Sequence, residues 1–400
     1  MKRWFTLWVV LFVALSAMAV PAKPGVWRTI SLTDGTQVKV QLVGDEFMHY
    51  YLSADGTRYL YDAASATYQV YSDTHFLASR RKAVARRAKA NNRRAVRRKA
   101  DAASIFQGTK KGLIILAQFT DSKFQSDHNL SLYKKVINGE NYTDNGFTGS
   151  VKDYFKAQSA GQFELDFDVV GICQLKNQCS YYGGNDSYGS DLHAGEMVAE
   201  ACQWAATQGI DFSQYDWDGD GEVDQVFVLY AGLGQASGGD ANTIWAHKFQ
   251  MSACREINRT PVTTECGIVV DTYACCNENQ PVMKDGQITN EYQPAGIGTI
   301  CHEFSHCLGF PDMYDISNQG GYAMDRWTVM STGLYNGNSM IPANYSAWER
   351  IYAGWVEPIV LDKAATVNAM VSSSQYGRPF IIYNDNHKDE YPGGVVGRNH

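Results

Sequence analysis

The run His302-Glu303-Phe304-Ser305-His306 constrains this chain of 400 residues more than any other feature. Residues four apart on an α-helix share one face, so both imidazoles can bind the same metal ion. Glu303 lies beside the first histidine and can reach a water molecule at that ion. This residue pattern on a helix predicts a zinc site with His302 and His306 as ligands and Glu303 as its base.

The residues that follow predict the third ligand. Gly309 can end the helix in a left-handed conformation, and Pro311 cannot continue it. The chain then turns back, so Asp312 can complete the ligand set. Asp315 is the nearest competitor, and a gluzincin-type site would instead use a distant glutamate such as Glu349. The short distance in sequence from Gly309 to Asp312 favours the compact site.

A methionine in a tight Ser/Thr/Gly turn lies downstream. Met330 within residues 327–333 matches the methionine turn that forms an apolar floor beneath the zinc of metzincins, and it also suits ordinary core packing. Tyr335, just past this turn, is a candidate for a catalytic hydrogen bond or an ordinary loop tyrosine. In the predicted mechanism zinc activates water, and Glu303 takes its proton and delivers it to the leaving amine of a peptide bond.

An acidic loop predicts a second cation site. Its carboxylates alternate with glycines that allow tight curvature, which suits calcium in a structural role. The predicted ligands are Asp216, Asp218, Asp220, Glu222 and Asp224. The loop is not a complete EF-hand, because Phe227 occupies the position of the expected bidentate glutamate. The alternative is an acidic surface turn.

The amino terminus predicts export. Lys2 and Arg3 precede an apolar run over residues 4–15 and a small-x-small site that ends at Ala19. The run is short for a membrane span, and no later stretch qualifies. We therefore expect residues 1–19 to be a signal peptide and the protein to be secreted, without stable membrane insertion once this segment is removed.

A basic segment divides the chain. Eleven of the twenty residues 80–99 are lysine or arginine, and the rest of the chain has 24 basic against 42 acidic residues. A run of this kind repels itself and is expected to be extended or weakly helical. It could bind nucleic acid or a membrane surface. We favour a connector that an activating protease or the enzyme itself cuts, with protein or peptide substrates and no nucleic-acid partner.

Patterning on either side of this segment predicts the domains. Residues 20–79 alternate in short strands separated by Asp-Gly turns, which predicts a β-rich pro-region. Residues 80–104 form the basic linker, and residues 105–400 a catalytic domain of the α/β (α+β) class with a twisted mixed sheet and the helix of the zinc motif. Asp45 in the pro-region is a candidate to occupy the zinc site of a zymogen, or else part of a polar turn.

Nine cysteines in an exported chain predict disulfides with one thiol left over. Cys173 and Cys179 bracket a short loop and are a plausible pair. The alternative is that several cysteines stay reduced and buried.

The order of these motifs resembles the immune inhibitor A family of secreted zinc metallopeptidases. The matching segments are residues 150–155, the acidic loop with 226–232, 244–248, 302–315 and 330–333. The resemblance implies a metzincin-like zincin catalytic domain, a pro-region and endopeptidase activity on proteins. An inactive protein-binding module with the same fold is the alternative, against which the intact Glu303 argues. Residues 392–400 lack the further β structure expected of the family, so we expect the catalytic domain to be incomplete at its carboxyl end.

Overall fold

A computed structural model of the chain describes residues 18–91, 106–186, 189–284, 287–316, 323–368, 370–372 and 377–382. Most of the predicted signal peptide, the second half of the basic segment and the carboxyl-terminal residues from 383 lie outside these ranges. The predictions made for those parts of the chain therefore stay predictions.

The first described residues form β1 (Met18–Ala19), which pairs with a strand far along the chain. An antiparallel meander follows, in which apolar and aromatic residues alternate with polar ones. Its strands are β2 (Trp27–Ser31), β3 (Gln37–Asp45), β4 (Met48–Ser53), β5 (Arg58–Asp62) and β6 (Thr67–Val70). Helix α1 (Asp73–Asn91) then runs into the basic segment, so the described part of that segment is helical rather than extended.

The chain from residue 106 onward alternates strands with helices. The longer strands are β7 (Gly108–Gln118), β8 (Phe163–Gln174) and β9 (Val226–Leu233), and the shorter ones that follow are β10 (His247–Gln250), β11 (Val262–Thr263) and β12 (Val269–Val270). The last are β13 (Thr272–Lys284), β14 (Gln287–Pro294), β15 (Ile359–Val360) and β16 (Phe380–Ile381). The helices are α2 (Leu130–Asn138), α3 (Val151–Gln158), α4 (Cys179–Gly183), α5 (Ala194–Thr207), α6 (Ile297–Cys307) and α7 (Ala347–Tyr352).

The sheet at the centre of the fold is mixed. Strands β13, β9, β7 and β8 are neighbours in that order and run parallel. Strands β14 and β10 both pair antiparallel with β13. The amino-terminal meander joins this sheet where Trp27 of β2 pairs with Gln287 of β14. The predicted mixed α/β class with a mixed sheet is therefore confirmed, together with an amino-terminal antiparallel unit.

Strand β7 shows why the sheet is covered on both faces. Its consecutive apolar residues point alternately to opposite sides, because side chains in a strand have a period of two. Ile114 and Leu116 join the core cluster that contains residues of α2, α3 and α6. Leu113 and Ile115 join the second cluster, which contains residues of α5. The zinc-motif helix α6 therefore lies on one face of the sheet, packed against β13 and α3.

Local signals account for the helix boundaries. Ser150 and Asp153 form a capping box at the start of α3. Helix α5 begins at Ala194, after a loop that contains Ser190 and Asp191. The amide of Ser190 donates to Asp186, and Asp191 accepts the amide of Trp245. These bonds hold both residues in the loop, and His193 is the residue at the helix N-cap.

All nine cysteines are free in the structure, and six of them are buried. The expected disulfide between Cys173 and Cys179 is therefore not formed, and the alternative of reduced, buried thiols is the one observed.

Phe304 provides a test of this packing. Its ring lies 5.4 Å from those of both Phe155 and Phe167 and is fully buried. We expect Phe304→Ala to lower the free energy of unfolding by about 3–5 kcal/mol, through lost burial and a residual cavity. Trp327→Ala, at a ring that is 81% exposed, should change it by less than about 0.5 kcal/mol. Urea denaturation followed by circular dichroism gives both values, and equal effects would contradict this packing.

Candidate active site

Two histidines of α6 and one aspartate beyond it place three ligand-type atoms close together. The Nε2 atoms of His302 and His306 are 3.0 Å apart. The Oδ1 atom of Asp312 lies 3.4 Å from the first and 3.0 Å from the second. Three ligands of one tetrahedral zinc ion, each at about 2.0–2.2 Å from it, would be separated by roughly 3.4 Å. The structure therefore brings the three predicted ligands together at nearly the spacing of a shared ion.

The far side of each imidazole is held by a backbone carbonyl. Nδ1 of His302 lies 2.7 Å from the oxygen of Val329, and Nδ1 of His306 lies 2.8 Å from that of Phe310. A carbonyl oxygen only accepts hydrogen bonds, so each Nδ1 must carry the proton and donate it. In the neutral ring this leaves a lone pair on Nε2, which is the form that binds a metal.

The resulting cluster fits a cation. Oδ1 of Asp312 is buried and has no hydrogen-bond donor among the described residues, although it faces both Nε2 atoms. Burial raises the pKa of the Asp312 carboxyl, while the positive charge of a protonated His306 and hydrogen bonds from both rings lower it below its usual value, so an ionised carboxylate here needs positive charge beside it. Three acceptor atoms that converge without a donor repel one another unless a positive ion lies between them. Two imidazoles and a carboxylate are a donor set that suits zinc.

The end of α6 sets the position of the aspartate. Gly309 has φ of +99°, a conformation that favours glycine, and the amide of Phe310 donates back to Ser305. The chain then reverses, and the amide of Met313 donates to the oxygen of Met330 at 2.7 Å. The predicted turn after the motif thus brings Asp312 back to the face of α6 that carries His302 and His306.

The methionine turn supports the first histidine. Met330 is fully buried, and its amide bonds to Oγ1 of Thr328 at 3.2 Å. The intervening Val329 supplies the carbonyl that orients His302. The turn also lies directly against α6, because a Cβ atom on Gly298 would come within 1.9 Å of the oxygen of Leu334. Glycine at this position permits the close approach of helix and turn.

Glu349, considered above as a distant ligand, has a different place in the structure. Its carboxylate accepts the Thr328 hydroxyl at 2.8 and 2.7 Å and the amide of Ser346. Ser346 and Glu349 form the capping box of α7. The structure does not bring Glu349 into the three-residue group around the histidines. It fixes the methionine turn instead, a role that the Ser-x-x-Glu capping signal could have suggested.

Glu303 lies beside the ligand group and is fully buried. Neither of its carboxylate oxygens has a hydrogen-bond partner among the described residues. Burial, followed by the negative charges of Asp312 and Glu46, raises the pKa of Glu303 well above its usual value, while the facing amide of Val20 lowers it. A carboxyl group with such a raised pKa can hold a proton between two steps of a reaction.

Tyr335 faces a segment that sequence reasoning did not connect with the site. Its hydroxyl donates to the backbone oxygen of Pro21 at 2.6 Å. Just before that residue, Met18 and Ala19 of β1 pair with Lys248 and His247 of β10. The start of the described chain thus lies across the candidate active site. Strand pairing between residues more than two hundred positions apart leaves no local signal in the sequence.

The acidic loop gathers part of the predicted calcium set. Carboxylate oxygens of Asp216, Asp218 and Asp224 lie within 4.8 Å of one another. Asp220 and Glu222 are not in this group. Both carboxylate oxygens of Asp216 accept backbone amides of the loop itself, including that of Gly219 at 2.8 Å. These bonds are compatible with a calcium loop and with a surface turn alike, so calcium stays a prediction.

Two further acidic residues named by the sequence lie outside the ligand group. Asp315 lines a cavity of about 270 Å³ together with Tyr314 and residues of the amino-terminal unit, among them Asp45. Asp45 is buried, and its Oδ1 accepts the amides of Phe47 and Met48 at 2.9 and 3.1 Å. These bonds are typical of a polar turn between β3 and β4. The sequence left such a turn open as the alternative to a role of Asp45 at the zinc site.

The third ligand can be tested by metal content. Asp312→Ala removes a direct ligand of the zinc. Loss of an outer-shell partner typically weakens metal binding by about 10–100-fold, so we expect this variant to bind zinc more weakly than that. Asp315→Ala should leave the zinc stoichiometry unchanged. Plasma mass spectrometry of gel-filtered protein measures both. Zinc lost from Asp315→Ala and kept by Asp312→Ala would reverse the assignment.

Comparison with known proteins places this geometry in a family. Residues 106–355 match the model of the immune inhibitor A peptidase M6 catalytic domain. The chain is 26% identical over 284 residues to the pre-pro-metalloprotease PrtV of Vibrio cholerae, an alignment that covers 60% of this chain and 29% of that protein. It is 25% identical over 295 residues to immune inhibitor A of Bacillus thuringiensis subsp. alesti, covering 63% and 41%. A putative secreted metallopeptidase of Arthroderma benhamiae is 24% identical over 239 residues, covering 52% and 32%.

The alignments span less than half the length of these relatives. Among the described residues, no helix has the length and apolar character needed to cross a bilayer. The family match covers more than half of the chain and contains the ligand group, Glu303 and the methionine turn. The chain belongs to the immune inhibitor A family of M6 metallopeptidases.

Proposed function

We propose that this chain is a secreted zinc-dependent endopeptidase of the metzincin type that hydrolyses peptide bonds in proteins. The observation that carries the proposal is the convergence of His302, His306 and Asp312 at 3.0–3.4 Å, with both imidazoles oriented through Nδ1. Family membership supports a metallopeptidase, and the donor set supports zinc. The names of two relatives, one pre-pro and one secreted, support export.

The proposed chemistry assigns a role to each side chain. His302, His306 and Asp312 hold zinc, which when bound supplies a Lewis acid that activates water and polarises a peptide carbonyl. Glu303 takes the proton of the attacking water and returns it to the leaving amine, for which its buried, acid-rich environment is suited. Tyr335 donates a hydrogen bond to the carbonyl oxygen under attack, as its hydroxyl does to Pro21.

The same proposal assigns the domains. Residues 1–19 are the signal peptide, 20–79 the pro-region, 80–104 the processing linker and 105–400 the catalytic domain. The acidic loop with Asp216, Asp218 and Asp224 binds structural calcium. Latency is maintained by the amino-terminal unit, which lies over the site and whose Glu46 acts electrostatically on Glu303.

Glu303 is the residue on which activity should depend. In a casein assay, wild-type protein should be active, lose activity with a zinc chelator and regain it when zinc is restored. Glu303→Ala should keep its zinc but lose activity by about 10²–10⁴-fold, because proton transfer and the positioning of water are both lost. Glu291→Ala, at an exposed glutamate paired with Lys284, is the matched control and should retain full activity. Retention of a tenth of the activity by Glu303→Ala would refute the assignment.

The basic segment should control activation. Limited trypsin treatment should cut within residues 80–99 and release a more active, more acidic species, because exposed basic segments are preferred sites of nicking. Amino-terminal sequencing locates the cut, and peptidase rates before and after it measure the effect. Protein mixed with trypsin already blocked by inhibitor is the control. A cut without gain in activity, together with an equally silent Asp45→Ala, would show that the amino-terminal unit is not a zymogen device.

A further inference from the structure

Residues 20–23 follow β1 across the candidate active site and are fixed there by bonds from the catalytic domain. Nε1 of Trp245 donates to the oxygen of Val20 at 2.9 Å, and the Tyr335 hydroxyl donates to that of Pro21 at 2.6 Å. The amide of Lys23 donates to the oxygen of Ala236 at 2.8 Å. The segment therefore lies against Tyr335, one of the side chains that the proposed reaction uses.

This segment begins as an added β-strand, which is a common way for a protein to bind a peptide. Strand β10 pairs with β13 along one side, and β1 adds to its other side as an antiparallel strand. Peptides commonly bind by adding a strand to an exposed sheet edge, with main-chain bonds giving affinity and side-chain pockets giving specificity. Residues 20–23, which stay in the chain once the predicted signal peptide is removed, thus take the path that a peptide substrate would take past Glu303 and Tyr335.

The side chain of Lys23 fills a pocket on this path. It is only 7% exposed, and its Nζ donates to Oε1 of Gln280 at 2.8 Å and to Oδ1 of Asn338. The same Nζ lies 5.8 Å from the centre of the Tyr335 ring, within the range of a cation–π contact. Lysine is seldom buried unless it is paired. The two amide oxygens and the aromatic ring of this pocket are groups that suit the cation at the end of a long side chain.

The pocket is preorganised for that cation. Nε2 of Gln280 donates to the backbone oxygens of Pro294 at 3.2 Å and Asn338 at 2.7 Å. Both amide hydrogens are therefore committed, and Oε1 is presented to Lys23 as an acceptor. An apolar side chain of the same length would leave this buried oxygen, and the partly buried oxygen of Asn338, without this donor, which is costly. Burial also lowers the pKa of Lys23 to about 8, so the lysine is still largely protonated at neutral pH.

We propose that Gln280 and Asn338 form a substrate subsite that selects a lysine or arginine side chain, and that Lys23 fills it as a pseudosubstrate in the unprocessed chain. This inference rests on the proposed peptidase function and names its specificity. The basic residues of positions 80–99 supply side chains of the selected type, so the same pocket would favour cleavage of that segment by the enzyme itself.

The first test is a cleavage profile. Full-length protein with zinc is incubated with a peptide library prepared by cleavage after glutamate, and the new termini are mapped by mass spectrometry. Lysine and arginine should be enriched by at least about tenfold at one fixed position relative to the cut. Gln280→Met should abolish the enrichment and Gln280→Glu should increase it. Gln174→Met, at an exposed glutamine on the far strand β8, is the matched control and should leave the profile unchanged.

The second test needs no catalysis. Hydrogen exchange of the amides of Ala22 and Lys23 is compared in wild type, Lys23→Met and Lys23→Arg. The methionine variant should exchange at least about tenfold faster, because the pocket oxygens lose their donor, while arginine should stay within about threefold of wild type. Amides of β7 report whether a variant is folded. The methionine variant should also cleave peptides faster than unprocessed wild-type protein.

The outcomes separate the two proposals. Cleavage with no basic enrichment at any position, or enrichment that survives Gln280→Met in a folded variant, overturns the subsite but not the peptidase. Exchange of Ala22 and Lys23 that is equal in wild type and Lys23→Met overturns the pseudosubstrate contact. Absence of cleavage in every form, with zinc bound, refutes the proposed function, and the exchange measurement then still decides whether the pocket recognises the lysine.

Discussion

The arrangement of this catalytic domain depends on two hydrogen bonds that point away from the site. The Nδ1 protons of His302 and His306 are donated to the carbonyls of Val329 and Phe310, so the Nε2 lone pairs must face each other and Asp312. One carbonyl, that of Phe310, comes from the turn that ends α6, and the other comes from Val329, 27 residues beyond His302. The helix end, the methionine turn and the Glu349 carboxylate that anchors Thr328 all serve to keep these two oxygens in place.

This geometry has an electrostatic cost that a metal ion offsets. The carboxylate oxygens of Glu303 and Oδ1 of Asp312 are buried, and the negative charges of Asp312 and of Glu46 in the amino-terminal unit both act on Glu303. Burying carboxylates without a counter-charge is strongly unfavourable. A divalent cation among the three ligands removes most of this repulsion, so binding of the ion and stability of the folded site are expected to be coupled. Where no cation is present, the raised pKa of Glu303 lets that group take a proton and reduce the repulsion.

The amino-terminal unit is tied to the catalytic domain by more than its sequence connection. Its strands continue the central sheet through β2 and β14, and the segment before them lies along β10. An edge strand presents unpaired amides and carbonyls that other strands can add to. In this chain the edge next to the ligand group is covered by the chain's own β1, and Lys23 is buried in a polar pocket close by. An edge that accepts an internal segment in this way is also suited to accept a substrate.

The sequence by itself determined the local parts of this protein. Spacing along one helix selected His302, Glu303 and His306, glycine chemistry at Gly309 predicted the turn that returns Asp312, and apolar patterning predicted short strands in residues 20–79 and a mixed sheet after residue 105. Each of these depends on residues only a few positions apart, where helix and strand periods are readable. Only the tertiary structure decided that Val329 orients His302, that Glu349 holds the methionine turn, that the nine cysteines stay unpaired and that residues 18–23 cross the site. These contacts join residues separated by tens to hundreds of positions, and their partners are chosen by how the sheet and helices pack rather than by any pattern along the chain.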